Sequence, residues 1–327
     1  MNKRVFGKTG IAVSEVGLGT WQLGADWGEV DDKEALRILH HAAEAGVNFF
    51  DTADVYGQGR SETLVAKFLK ESPRDAFIAT KIGRRSDPGW PANFKLETMR
   101  QHVEDCLRRL DIEALDLVQL HCIPTQLLKD GQVFENLRVL IKEGKIKHYG
   151  VSVESMEEAN ICLAQDDVTS LQIIFNIFRQ KPITALFEQT KAKNVALIAR
   201  VPLASGLLSG KMSKATHFKS ADHRNYNRDG QAFNVGETFA GLPFERGVEL
   251  AEEIKPLVPE NMTMPQMALR WILDHEAITT VIPGASKVSQ VESNVSASDL
   301  PPLSSELRQK LSALYSSSIE PYIRGPY

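Results

Sequence analysis

From residue 16 to residue 284 the chain repeats one pattern: a short apolar run, then a longer segment with apolar residues at helical spacing, then another short run. The runs cover residues 16–20, 48–54, 77–81, 115–121, 148–153, 171–176, 195–201 and 280–284, eight in all. Short continuous apolar runs are strands covered on both faces, and parallel strands need long crossovers, so the pattern is one of βα units. The crossovers carry clear stripes: Leu96, Met99, Val103, Cys106, Leu107 and Leu110 in one, and Val133, Phe134, Leu137, Leu140 and Ile141 in another. Eight such units in 327 residues suit a closed (β/α)8 TIM barrel, since an open doubly wound sheet usually carries fewer strands. Two segments break the rhythm. Residues 4–16 hold a Gly-Lys-Thr-Gly turn between short apolar stretches and predict an N-terminal β-hairpin. Residues 204–242, after the seventh strand, form a long polar, glycine-rich loop, a length that usually serves binding. No low-complexity linker divides the chain, so residues 1–327 are expected to form one domain.

Composition excludes several classes of function. Thirty-eight Lys and Arg against 42 Asp and Glu leave a formal charge of -4, with no general positive field for a nucleic acid or an anionic bilayer. No apolar run is long enough to span a membrane, and the first residues, MNKRVFGKTG, contain no signal-like stretch. Cys106, Cys122 and Cys162 are odd in number and form no Cys-x-x-Cys pair, so a reducing cytoplasm is expected and a metal site is not.

In such barrels the active site lies at the carboxyl ends of the strands. Here the second strand ends in Asp51-Thr-Ala-Asp-Val-Tyr56-Gly, the third in Thr80-Lys81 and the fourth in Gln119-Leu-His121. Singly, each residue has an ordinary reading: Asp51 as a cap, Tyr56 as rim packing, Lys81 as a solvated charge, His121 as a hydrogen-bonded rim imidazole. Together they form a proton-delivery set. A phenol ordinarily titrates near about 10, a neighbouring ammonium favours its anion, a carboxylate keeps that ammonium charged, and an imidazole orients a substrate oxygen. The set contains no nucleophile and no metal cage, so the missing reagent must come from a cofactor.

The ordered series Gly46-Val-Asn-Phe-Phe-Asp51-Thr-Ala-Asp-Val-Tyr56-Gly, Lys81 after Ile-Ala-Thr, His121 after Asp-Leu-Val-Gln-Leu, Gly144-Lys-Ile-Lys-His-Tyr-Gly150-Val-Ser152 and Ile282-Pro-Gly resembles the aldo-keto reductase family over nearly the whole chain. The resemblance implies a (β/α)8 barrel and an NADPH-dependent reduction of small carbonyl substrates, with Asp51, Tyr56, Lys81 and His121 as catalytic residues and Tyr56 as general acid. It also implies a cofactor surround. Ser152 and Gln172 match the pair that holds the nicotinamide carboxamide, and Pro202, Leu203, Ser205, Gly206 and Leu207 match the start of the loop over the pyrophosphate. Ser286, Lys287, Gln290 and Asn294 match the 2'-phosphate and adenine site, while Gly19, Thr20, Trp21, Asp51, Lys211 and Gly284 complete the set. Arg200 stands where many members place a tyrosine under the nicotinamide ring, and a planar guanidinium can also stack there. Val153 stands where many have asparagine, and Gln290 where an arginine is common. Trp21, Tyr56, Trp90 and His121 are expected to line the substrate pocket, with Trp27 and Phe178 as further aromatic candidates.

Competing motifs are weaker. Gly17-Leu-Gly19-Thr-Trp-Gln-Leu-Gly24 places its third glycine too late for a dinucleotide fingerprint, and Gly206-Leu-Leu-Ser-Gly210-Lys211-Met212 is one residue short of a phosphate loop. Gly150-Val-Ser152-Val-Glu154 lacks the closing glycine of a nucleophile elbow. A Schiff-base aldolase using Lys81 and a cofactor-binding regulatory subunit are the rival functions. His40, His41, His217 and His223 lack the partner spacing of metal ligands. The tail, residues 319–327, either folds over the rim or meets another subunit, and the sequence leaves the oligomeric state open.

Overall fold

A computed structural model describes residues 1–24, 30–72 and 75–327. An antiparallel pair, β1 (Lys3–Val5) and β2 (Ala12–Ser14), precedes eight parallel strands: β3 (Leu18–Gly19), β4 (Phe49–Asp51), β5 (Phe77–Ile82), β6 (Leu115–His121), β7 (Ile146–Ser152), β8 (Ser170–Ile174), β9 (Ala196–Arg200) and β10 (Ile278–Val281). Neighbours in sequence are neighbours in the sheet from β3 to β10, and bridges from Val16 to Val281 and from Gly19 to Gly284 join its two edges. The expected (β/α)8 barrel and its preceding hairpin are both present.

Each expected run holds a strand, but several strands are shorter than their runs. Residues 48–54 keep only Phe49–Asp51, because the chain beyond leaves the ladder for a turn in which the Tyr56 N–H donates to the Ala53 carbonyl at 3.1 Å. That turn explains the Tyr-Gly pair. Gly57 has φ +59°, and a Cβ there would lie 2.1 Å from the Gly24 carbonyl oxygen. All six residues of β5 are buried, which is why the run shows no polar alternation. The predicted helical stripes also sit inward: Met99, Val103, Cys106 and Leu110 are buried in helix Leu96–Leu110, as are Val133, Phe134, Leu137 and Leu140 in helix Gln132–Lys142.

The hairpin closes the amino-terminal end of the barrel. Phe6, fully buried, lies 5.6 Å from the Phe49 ring and 5.0 Å from Phe77, in a cluster with Val13, Leu117 and Ile198. Asn48 fastens it, accepting the Ser14 N–H at 2.6 Å and donating to the Ala12 carbonyl at 3.0 Å.

At the opposite rim, residues 204–242 are more anchored than a polar loop. They form short helical turns, among them Ala204–Ser209, His223–Tyr226 and Val235–Glu237, and bury Leu207, Leu208, Phe239 and Leu242. The tail folds back over this rim. Arg324 pairs with Asp229 at 2.7 Å and donates to the Gly241 carbonyl, while the Tyr327 ring lies 4.1 Å from the Arg179 guanidinium and its hydroxyl 2.6 Å from that of Tyr315. Among the described residues no helix is long and apolar enough to cross a membrane.

Candidate active site

Adjacent strand ends bring the four expected catalytic residues together. Asp51 closes β4, Lys81 lies on β5 and His121 closes β6, while the turn after β4 returns Tyr56 over them. Lys81 Nζ, 1% exposed, donates to Asp51 Oδ1 at 2.5 Å, to the Thr52 carbonyl at 2.8 Å and to the Tyr56 hydroxyl at 3.3 Å. The other Asp51 oxygen accepts from Gln119 at 3.0 Å and Gln172 at 2.8 Å, so the carboxylate is bonded on both sides. The Tyr56 ring stacks on Trp21 at 5.9 Å and meets the His121 imidazole edge-on at 5.9 Å.

The electrostatics divide the set into a charged pair and two neutral hydrogen-bonding groups. Burial opposes charge on Lys81, but Asp51 and Tyr56 outweigh it and hold the ammonium above its ordinary value. A protonated lysine has no lone pair with which to attack a carbonyl, which counts against the Schiff-base reading. Burial raises Tyr56 above the usual phenol value, with Lys81 pulling the other way. The expected effect of the ammonium is therefore present but smaller than desolvation, and the phenol keeps its proton. Burial, followed by the charges of Arg84, Lys81 and Arg200, drives His121 well below the usual imidazole value, leaving it neutral near pH 7.

Two cavities meet at these side chains. The first, about 490 Å³, runs along the rim from β8 through the start of the 204–242 segment to helix Val288–Ser296; the second, about 800 Å³, opens between the turn after β4 and that segment. Trp21, Tyr56, His121 and Glu237 line both.

Most of the expected cofactor surround lines the first cavity: Gly19, Trp21, Asp51, Ser152, Gln172, Arg200, Pro202, Leu203, Ser205, Gly206, Lys211, Gly284, Ser286, Gln290 and Asn294. Three expected residues do not. Thr20 is buried, with its hydroxyl bonded to the Asp51 carbonyl at 2.9 Å and beside Ser61; Leu207 is fully buried in the core; Lys287 is exposed at the start of helix Val288–Ser296. The Ser286 N–H and hydroxyl both reach the Gln290 side-chain oxygen, at 2.7 and 3.2 Å. The backbone entering the 204–242 segment is strained, with positive φ at Val201, Ala204 and Ser205, a conformation that side chains with a Cβ disfavour and that clusters at ligand sites. Gly206 follows at φ +97°.

All four expected substrate-pocket residues, Trp21, Tyr56, Trp90 and His121, line the second cavity. Phe178 does not; it is fully buried in the core. Trp27 lies outside the described residues. Sequence reasoning missed Arg84, Glu154 and Glu237, whose charges converge beside His121. The Arg84 guanidinium pairs with Glu237 at 2.7 Å and Glu154 at 3.3 Å. Nothing in the local sequence marks these residues, because they come from separate strand ends and the long segment. Cys122, Glu154 and Glu237 place potential ligand atoms within 4.8 Å of one another, but Arg84 already engages both carboxylates. His40 and His41 pair with Glu71 and Glu292 at the surface.

A parallel barrel whose rim holds a protonated phenol against a buried ammonium–carboxylate pair, beside two cavities, is arranged to deliver a proton to a bound small molecule. The chain belongs to the aldo-keto reductase family: the model described as "Aldo/keto reductase family" matches residues 15–316. It is 30% identical to the uncharacterized oxidoreductase YqkF of Bacillus subtilis over 312 residues, 94% of either chain. Among solved structures it is similar to the holo form of aldo-keto reductase AKR11C1 from Bacillus halodurans, at 29% identity and TM-score 0.78 over 96% of each chain. The glycerol dehydrogenase AKR11B4 from Gluconobacter oxydans matches at 29% identity and TM-score 0.78 over 99% of this chain and 98% of that one.

Proposed function

We propose that this protein, as one domain spanning residues 1–327, is a cytoplasmic NADPH-dependent reductase that converts aldehydes or ketones to alcohols, with Tyr56 as general acid. The observation that carries the reading is that Tyr56 and His121 line both cavities, with Lys81 Nζ 3.3 Å from the Tyr56 hydroxyl. Aldo-keto reductases use a nicotinamide cofactor. The first cavity suits one: its lining runs from Ser152 and Gln172 to Ser286 and Asn294, the backbone at Val201, Ala204 and Ser205 is strained, and the buried Arg200 Nε has no hydrogen-bond partner among the described residues. When bound, the nicotinamide supplies the hydride that these side chains lack.

Ser152 and Gln172 would hold its carboxamide, residues 202–207 the pyrophosphate, and Ser286, Lys287, Gln290 and Asn294 the adenosine end. Neutral His121 donates a hydrogen bond to the substrate oxygen and orients it. Tyr56 gives its proton to that oxygen as charge develops, and the phenolate left behind is stabilised by Lys81, itself held by Asp51. Trp21 and Trp90 wall the second cavity and offer apolar surface to the substrate beside the polar groups His121 and Tyr56.

The test is NADPH oxidation over aldehydes, ketones, sugars and dicarbonyls, with NADH run beside it. Turnover on at least one class, faster with NADPH, is the expected result. Tight NADPH binding with no turnover on any class would instead favour the regulatory-subunit reading.

A further inference from the structure

We propose that Arg84 is a positioning residue, whose single guanidinium fixes His121 and seats the 204–242 segment against the active site. The proposal rests on the carbonyl-reductase reading above. Arg84 Nε donates to the His121 main-chain oxygen at 3.0 Å, and a terminal nitrogen donates to Glu237 at 2.7 Å and to Glu154 at 3.3 Å. These partners come from the end of β6, the long segment and the residues after β7. A guanidinium is a rigid planar fork, so one that satisfies all three fixes their relative places.

The network joins the two cavities. The Glu237 oxygen that accepts from Arg84 also lies 3.7 Å from Arg200, so one carboxylate stands between the guanidinium on the cofactor side and that on the substrate side. The side chains of Glu237 and Arg200 are only 7% and 9% exposed. Buried ion pairs of this kind add little net stability over apolar packing of the same volume, whereas breaking one is costly. Their presence at a reacting centre is better explained by the geometry that they impose.

Arg84 also contributes charge. Among the titratable and charged groups around His121, Asp51, Tyr56, Arg84, Cys122, Glu154, Arg200 and Glu237 share the lining of its two cavities, and Lys81 on β5 acts on the ring from behind Tyr56. Of these, the cations Arg84, Lys81 and Arg200 favour the neutral ring that can donate to a carbonyl without carrying charge.

The experiment compares Arg84→Gln, which removes charge and fork, with Arg84→Lys, which keeps charge alone. Both should lower kcat/KM by about 10- to 100-fold, the scale of a small misplacement of a reacting group, with NADPH binding by fluorescence weakened by a smaller factor, since Ser205, Gly206 and Lys211 belong to the segment that Arg84 seats. Only Arg84→Gln should move the acid limb of the pH profile upward, towards the ordinary imidazole range. Parental kcat/KM and pH profile in Arg84→Gln would overturn the proposal, as would NADPH binding lost in proportion to turnover. A separate measurement does not depend on those variants folding: Glu237→Gln should speed amide exchange in residues 204–242 and leave the barrel strands unchanged. Parental exchange there would overturn the seating role. Failure of the underlying reading would show differently, as a parent enzyme without turnover or one indifferent to Tyr56→Phe.

Discussion

The two ends of the barrel are built from the same eight strands and follow opposite rules. At the amino-terminal end, Phe6, Phe49 and Phe77 fill the barrel with stacked rings, and the polar groups of the hairpin are paired with Asn48 and Ser14. At the carboxyl end the chain buries Lys81, Asp51, Arg84, Glu237 and Arg200, leaves His121 Nδ1 and Arg200 Nε without partners among the described residues, and strains the backbone at Val201, Ala204 and Ser205. Unpaired polar atoms and positive φ each cost on the order of 1–3 kcal/mol, so the rim is destabilised relative to the floor. Stability and chemistry are thereby assigned to opposite ends of one sheet, and mutations at each end should have separable effects.

The largest separation is expected from Tyr56→Phe. In the mechanism we propose it removes the transferred proton but keeps the ring on Trp21, so turnover should fall about a hundredfold or more while NADPH binding and thermal midpoint hold. Parental turnover in steady-state assays would remove Tyr56 as the acid.

Phe6→Ala is the mirror experiment at the floor. Truncating a fully buried ring should cost about 3–5 kcal/mol in denaturant unfolding, with kcat of the folded enzyme unchanged. A fall in kcat that matches the loss of stability would erase the distinction between the two ends.

Lys81→Met sharpens the contrast, because it is a rim mutation that touches both properties. Asp51 loses its buried partner, and the positive charge that draws the Tyr56 pKa down is gone, so the pKa rises further above the usual phenol value. As the proposed general acid, Tyr56 would be active in reduction while protonated; turnover should therefore drop at neutral pH, where a weaker acid delivers its proton less readily, and the basic limb of the profile should move to higher pH. An unmoved basic limb with comparable turnover would show that the two groups are not coupled.

The smallest effect is expected at the edge of the rim. We propose that Lys287 pairs with a 2'-phosphate although it stands exposed outside the cavity lining, and an exposed charge-assisted contact is worth on the order of 1–2 kcal/mol. Lys287→Ala should weaken NADPH binding by about tenfold, barely change NADH, and lose its effect as salt rises. Equal weakening of both cofactors by titration would make Lys287 a support for the loop.

What the residue order determined by itself was whatever is written in short-range pattern. Eight continuous apolar runs specify buried parallel strands, and the polar residues at their ends name Asp51, Tyr56, Lys81 and His121, although the turn that returns Tyr56 and needs glycine at position 57 is a finding of the structure. These features are legible because period and chain direction are local, and because a barrel sends every strand end to the same rim. The sequence could not show that Arg84, Glu154 and Glu237 share one ion-pair network, that Leu207 and Thr20 face away from the cavity, or that Tyr327 returns to Arg179 and Tyr315. Each of these depends on where separate segments meet after barrel closure. Closure alone decides which buried charges face one another, and at low dielectric that choice governs whether Tyr56 keeps its proton and His121 stays neutral.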